Sequence, residues 1–149
     1  GVILHFQLRM GMSAADVEDM LYRQSGLLGV SGLSSDMRAL AASDAPEAEE
    51  AMALFAWRAA RETASLASSM GGLDGIVFTA GIGENDAAMR QSICARLAWL
   101  GVELDEQANA AGAPLVSTPG SHVAVRVIPT DEERMIALHT LHVLGENPS

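Results

Sequence analysis

Apolar residues recur three or four positions apart over most of the chain and run together or alternate in two short stretches. This predicts many helices and few strands. Ser13-Ala14-Ala15-Asp16 opens the first clear helix, with Ser13 as N-cap and an acid in the first turn. Val17, Met20 and Leu21 form its apolar face until Ser25-Gly26. Gly26, Gly29 and Gly32 then space a short apolar segment, where glycine permits tight turns and close approach. Ser34-Ser35-Asp36-Met37-Arg38 offers a cap before a short helix, with Asp36 as its second residue, and Ser43-Asp44-Ala45-Pro46 makes a turn. The longest helix is expected from Pro46 to about Met70. Met52, Phe55, Ala56, Ala59, Thr63, Leu66 and Met70 lie near one stripe, and Gly71-Gly72 is the stop.

Asp74 to Thr79 reads as a short buried strand centred on Ile76, Val77 and Phe78. Ala80 to Asn85 is expected to be a loop, followed by a helix to about Leu100 that Gly101 stops, and by a small helical piece from Asp105 to Ala111. His122 to Ile128 alternates and forms the second strand, ended by Pro129. Thr130 starts a final helix to about Leu144, and Gly145 to Pro148 is a frayed end. No repeat or clear linker interrupts this order, so the chain reads as one α/β unit. Gly1 leads at once into Val2-Ile3-Leu4, which has the character of the middle of a longer protein and predicts a partner half upstream.

Charge narrows the chemistry. Among 149 residues, 19 are Asp or Glu, 9 are Arg and none is Lys, for a net charge of −10. A Walker-type phosphate loop requires Lys after its glycines and is excluded, as are Schiff-base and general-base lysines. The net negative field opposes binding to nucleic acid or an anionic membrane surface. The lone Cys94 cannot form an internal disulfide or a cysteine metal cage, and a cytoplasmic protein is expected.

Three places can carry chemistry. Thr79-Ala80-Gly81-Ile82-Gly83-Glu84-Asn85 lies between a strand and a helix, where glycine backbone can meet a ligand. It reads equally as a tight strand-to-helix turn, and it lacks the third glycine of a dinucleotide fingerprint. Glu84 and Asp86 would repel phosphates, so a nucleotide here would present its sugar and base. The second place is Asp36-Met37-Arg38, where Asp36 can orient an arginine suited to a phosphate or a base plane; the alternative is a capped surface helix. The third is Pro129-Thr130-Asp131-Glu132-Glu133. Thr130 and Glu133 fit a capping box, while a carboxylate at such a junction also suits Mg²⁺, which takes one or two protein oxygens and nucleotide phosphates. His139 and His142 lack a third ligand nearby, His5 and His122 stand alone, Cys94 suits a buried thiol, and Trp57 and Trp99 suit packing.

Five motifs in register carry a resemblance: Tyr22 to Gly32, Ser35-Asp36-Met37-Arg38, Phe78 to Asn85, Leu100-Gly101-Val102-Glu103-Leu104-Asp105, and Ile128 to Glu133. Together they resemble the C-terminal part of the acetate kinase (acetokinase) family through nearly the whole chain. Ala80 stands where the family usually has Gly, and Asp131 where Asn is frequent. The resemblance implies an actin-like, Hsp70-type ATPase fold of the ribonuclease H-like class, helix-rich with few strands. It also implies Mg²⁺-dependent (Mn²⁺ as substitute) phosphoryl transfer between ATP and acetate, giving ADP and acetyl phosphate, in a cytoplasmic homodimer. By motif, Asp36, Met37 and Arg38 would contact the nucleotide. Gly81, Ile82, Gly83, Glu84 and Asn85 would cradle its adenosine end, Glu132 would be the magnesium carboxylate, and Glu133 would remain the cap. The family's substrate arginines and histidine lie upstream of the part matched here, so no catalytic residue is assigned and the chain alone is expected to be inactive. A propionate or butyrate kinase, or a non-catalytic nucleotide-binding or dimerisation module, are the alternatives.

Overall fold

The computed structural model describes residues 1–145, and these divide into two compact units, Gly1–Leu66 and the part from Ala67 onward. The frayed end expected at Glu146 to Pro148 lies outside the described residues. In the first unit, α1 (Val2–Leu8) is a helix that the pattern did not announce, because its apolar residues Val2, Ile3, Leu4 and Leu8 are exposed rather than arranged around a buried stripe. In α2 (Ala14–Arg23), Ser13 is the N-cap as expected, and with Asp16 it closes a capping box. Its hydroxyl accepts the Asp16 N–H at 3.1 Å, and the Asp16 carboxylate accepts the Ser13 N–H at 3.2 Å. The glycine-spaced segment becomes α3 (Gly26–Ser31), ended by Gly32 in the left-handed conformation.

Asp36 is the N-cap of α4 (Met37–Ala41), not its second residue: its carboxylate accepts the Arg38 N–H at 2.9 Å. The long helix α5 (Pro46–Met70) has the expected bounds. Its buried face differs from the expected stripe, being lined by Ala48, Ala51, Ala56, Ala60 and Ala67, while Leu66 and Met70 are exposed. Small side chains allow the closest approach of neighbouring backbone, so the larger residues fall to the sides. Leu40, fully buried, packs with Ala48 and Ala51, with Leu27 and Met52 against them.

The second unit holds the sheet. Strand β1 (Gly75–Phe78) pairs in parallel with β2 (Ala124–Val127), in register Gly75 to Ala124 through Phe78 to Val127. The other edge of β2 is covered by residues 114–117, whose Val116 N–H donates to the Val125 carbonyl at 2.8 Å, with a bridge from Leu115 to Arg126. Hence Val123, Val125 and Val127 are buried as their alternation predicts. β1, by contrast, was expected to be buried and is not: Val77 is 54% exposed, because β1 has a single neighbouring strand among the described residues.

After β1, the expected loop is helical: α6 (Ala80–Asn85) follows Thr79 directly. The helix expected to reach Leu100 is α7 (Ala87–Ala95), capped by Asp86, and then a separate 3-10 turn at Ala98–Leu100 that Gly101 ends in the left-handed conformation. A Cβ at Gly101 would lie 2.9 Å from that of His122, so glycine is required there on two counts. Asp105 caps α8 (Glu106–Ala110), and α9 (Glu132–Val143) closes the described chain. Among the described residues no helix is long and apolar enough to cross a membrane.

Ala80 is the one non-glycine residue with positive φ among those described, at +58°. Its Cβ is crowded against its own backbone there. Ala80→Gly is expected to raise the urea unfolding free energy by about 0.5–1 kcal/mol, the relief exceeding the entropy glycine adds to the unfolded chain. An unchanged or lower value would show that the turn carries no such strain.

Candidate functional site

Two strand-to-helix junctions stand side by side in the second unit, β1 to α6 and β2 to α9. Parallel pairing puts both strands' carboxyl ends at one edge, and the Ile128 N–H extends the ladder by donating to the Phe78 carbonyl at 2.9 Å. In parallel α/β sheets, ligands bind outside these carboxyl ends.

In the first junction the two glycines do different things. A Cβ at Gly83 would lie 3.1 Å from the Phe78 carbonyl carbon, so its bareness lets α6 fold back tightly on β1. A Cβ at Gly81 would meet nothing within 4 Å, so its backbone faces open space. Ile82 is half-buried, and the Asn85 amide donates to the Gly81 carbonyl at 2.9 Å, closing the turn. Glu84 reaches the second junction: its Oε1 accepts the Thr130 N–H at 2.9 Å and the Thr130 hydroxyl at 3.1 Å. The bond from the Thr130 N–H holds the Glu84 carboxyl below its usual value.

That contact overturns the expected capping box. Thr130 is occupied by Glu84, so the cap passes to Asp131, whose carboxylate accepts the Arg134 N–H at 2.9 Å, and Glu133 is not a capping partner. Glu132 becomes the first residue of α9. Its side chain is exposed and makes no hydrogen bond or ion pair among the described residues. No group of three His, Cys, Asp or Glu able to hold a metal ion occurs among the described residues, and His139 and His142 are exposed. The described residues therefore form no metal cage by themselves. One free, hard carboxylate fits Mg²⁺ that brings water and nucleotide phosphate as its other ligands.

The residue that holds the first junction is Arg90, which the motifs did not single out. It is 2% exposed and has no carboxylate partner, yet four hydrogen bonds satisfy it. Nη1 donates to the carbonyls of Gly83 and Glu84, both at 2.9 Å, Nε to Asn109 Oδ1 at 2.7 Å, and Nη2 to the Asn109 carbonyl at 2.7 Å. The Gly83 and Glu84 carbonyls are otherwise orphans in the last turn of α6, and the Asn109 carbonyl at the end of α8 also accepts the Gly112 N–H at 3.1 Å; such helix ends attract positive charge. The Asn109 side chain is fixed in turn by donating to the Ala87 carbonyl at 2.8 Å. Burial pushes the arginine's pKa down, opposed by the nearby Asp86. A signal for it existed: Arg90 shares the helical stripe of Ile93, Cys94 and Leu97, where a cation has no place unless it is fully bonded.

The remaining motif belongs to the first unit. Asp36 and Arg38 form a forked ion pair, Nε to Oδ1 at 3.2 Å and Nη2 to Oδ2 at 2.8 Å, and both are exposed. The pairing lowers the Asp36 pKa and raises that of Arg38. Met37 is buried, so this motif offers a surface guanidinium with a preset direction. Cys94 is buried, its thiol pushed up to about 11 by desolvation, which suits an inert packing residue. Trp57 and Trp99 are not packed inside as expected: both are exposed, Trp99 by 71%, and Arg61 lies 5.1 Å over the Trp57 ring.

Comparison with known proteins matches residues 1–138 to the acetokinase family model. An acetate kinase of Rhodopseudomonas palustris is 55% identical over 141 residues, covering 93% of this chain and 35% of the relative. Among crystal structures, an acetate kinase of Porphyromonas gingivalis superposes with a TM-score of 0.87 at 35% identity, over 97% of this chain and 38% of that one. A propionate kinase of Francisella tularensis superposes with a TM-score of 0.82 at 38% identity, over 91% and 36%. The described elements are thus a partial α/β kinase fold, and the chain spans little more than a third of the length of these relatives.

Replacing Arg90 by Met leaves the Gly83 and Glu84 carbonyls and the Asn109 Oδ1 without their donor in a site water reaches poorly, while the Asn109 carbonyl keeps the Gly112 N–H. Arg90→Met is expected to cost about 3 kcal/mol in urea unfolding. A loss below about 1 kcal/mol would mean that these carbonyls find other partners and that Arg90 is not the brace.

Proposed function

The chain belongs to the acetokinase family, and from that premise we propose that it is the nucleotide-holding part of an acetate kinase. The intact enzyme would transfer a phosphoryl group between ATP and acetate, giving ADP and acetyl phosphate. The observation that carries this reading is the pair of adjacent junctions. One presents the open backbone of Gly81 and the other an unpartnered carboxylate, Glu132, at the same sheet edge.

In this reading Gly81, Ile82, Gly83, Glu84 and Asn85 receive the adenosine end. Asp36, Met37 and Arg38 supply a further nucleotide contact, with Asp36 orienting the guanidinium. Glu132 is the protein ligand for Mg²⁺ or Mn²⁺. When bound, the metal neutralises charge on the nucleotide's phosphates. Phosphoryl transfer depends on positioning and positive charge around the transferred group. Arg90 is consumed by backbone carbonyls, so the two junctions themselves offer it little positive charge. Turnover is accordingly proposed for the intact enzyme, and nucleotide binding for this chain. We extend the same reading to a homodimer in the cytoplasm, which rests on the family alone.

A second reading has its own support. The propionate kinase of Francisella tularensis shares more identity with this chain than the acetate kinase of Porphyromonas gingivalis, 38% against 35%. The acid accepted by the intact enzyme is therefore proposed as a short carboxylic acid, acetate first and propionate or butyrate as the alternatives.

Calorimetric titration with ADP, with and without Mg²⁺, tests the proposal. Glu132→Ala is expected to remove the magnesium-dependent gain in affinity, on the order of ten-fold, and to spare metal-free binding. If both fall together, Glu132 is not the metal ligand.

A further inference from the structure

We propose that Glu84 is a positioning residue whose carboxylate latches the β2–α9 junction to the β1–α6 turn and thereby leaves Glu132 free. The inference deepens the nucleotide reading above and rests on it.

The argument begins with competition for Thr130. Read along the chain, Thr130 and Glu133 form a capping box that would start the last helix at Asp131 and bind the Glu133 side chain to the cap. In the folded protein a residue 46 positions earlier takes Thr130 instead: Glu84 Oε1 accepts both its N–H and its hydroxyl. The cap then falls to Asp131, the helix starts one residue later, and Glu132 becomes its first residue, pointing no bond back into the protein. The side chain of Glu84 thus decides which acid of the Asp131-Glu132-Glu133 run is the cap and which is free.

Glu84 is itself held. Its carbonyl accepts from Arg90 Nη1 at 2.9 Å, so the buried arginine fixes its backbone while Thr130 fixes its side chain. Among the described residues no other side-chain hydrogen bond joins the two junctions. The remaining link is the backbone bond from Ile128 to Phe78, which sets the strands but not the start of α9. The chemistry of Glu84 is accordingly that of a carboxylate acceptor used inside the protein. Glu84 thus stays in the turn proposed to receive the adenosine end, while its side chain takes a role one step removed.

The test uses the 149-residue chain, comparing wild type, Glu84→Ala and Glu84→Gln. Glutamine keeps a carbonyl oxygen that can accept both Thr130 bonds, whereas alanine keeps none. Amide hydrogen exchange followed by NMR is expected to show the Thr130 amide exchanging about ten-fold faster in Glu84→Ala and returning towards the wild-type rate in Glu84→Gln. In calorimetry, the gain in ADP affinity on adding Mg²⁺ is compared within each variant, so that any direct contact of Glu84 with ADP cancels. That gain is expected to shrink about five-fold or more in Glu84→Ala and to recover in Glu84→Gln. A Thr130 amide as protected in Glu84→Ala as in wild type overturns the latch. Lost protection with an intact magnesium gain overturns its bearing on Glu132. A wild-type chain that binds no ADP overturns the nucleotide reading and the coupling built on it, and the Thr130 exchange rate separates that failure from failure of the latch.

Discussion

The second unit depends on one buried cation. A guanidinium taken out of water carries a large desolvation cost and tolerates its position only if hydrogen bonds to each of its nitrogens offset that cost. Arg90 meets that condition with backbone and amide oxygens rather than a carboxylate. It therefore gathers the ends of two short helices, α6 and α8, neither of which is long enough to be stable alone. The tight turn after β1 follows from this constraint. So does the bareness of Gly83 against Phe78 and, through the fixed backbone of Glu84, the reach of its side chain to Thr130.

Seen this way, the lysine-free composition has a structural counterpart. The buried Arg90 is spent on architecture, and the exposed Arg38 of the first unit is aimed by Asp36. What the two junctions present outward is glycine backbone and a carboxylate, groups suited to a sugar, a base and a hydrated metal. In the proposed reaction, positive charge for the transferred group would come from the metal and from elsewhere in the intact enzyme. This agrees with a chain spanning little more than a third of the length of its relatives.

Much of the fold was legible because local chemistry decided it. The Ser13 cap, the Pro46 start and Met70 end of α5, the short helical piece after Asp105 and the buried alternation of β2 all follow from neighbours within a few residues. The misreadings share a cause in partners distant along the chain. The 80–85 segment looked like a loop, since glycines at 81 and 83 argue against helix, yet Arg90 and Asn109 hold it in one. The Thr130–Glu133 box is a sound local prediction defeated by Glu84. The exposure of β1 reflects how many strands flank it, which no local pattern reports. For the candidate site, the motif order pointed to the two junctions, but the division between residues facing outward and those bracing the turn emerged only from the hydrogen bonds.

The central claim is that the two adjacent strand ends act together, one on the nucleotide and the other on its metal. The most direct measurement is an amide NMR titration of the chain with ADP, first without and then with Mg²⁺. The account predicts shifts at Gly81 to Asn85 in the first titration, joined by Asp131 and Glu132 only when Mg²⁺ is added. Shifts confined to other parts of the second unit, or movement at Glu132 that does not depend on the metal, would contradict it.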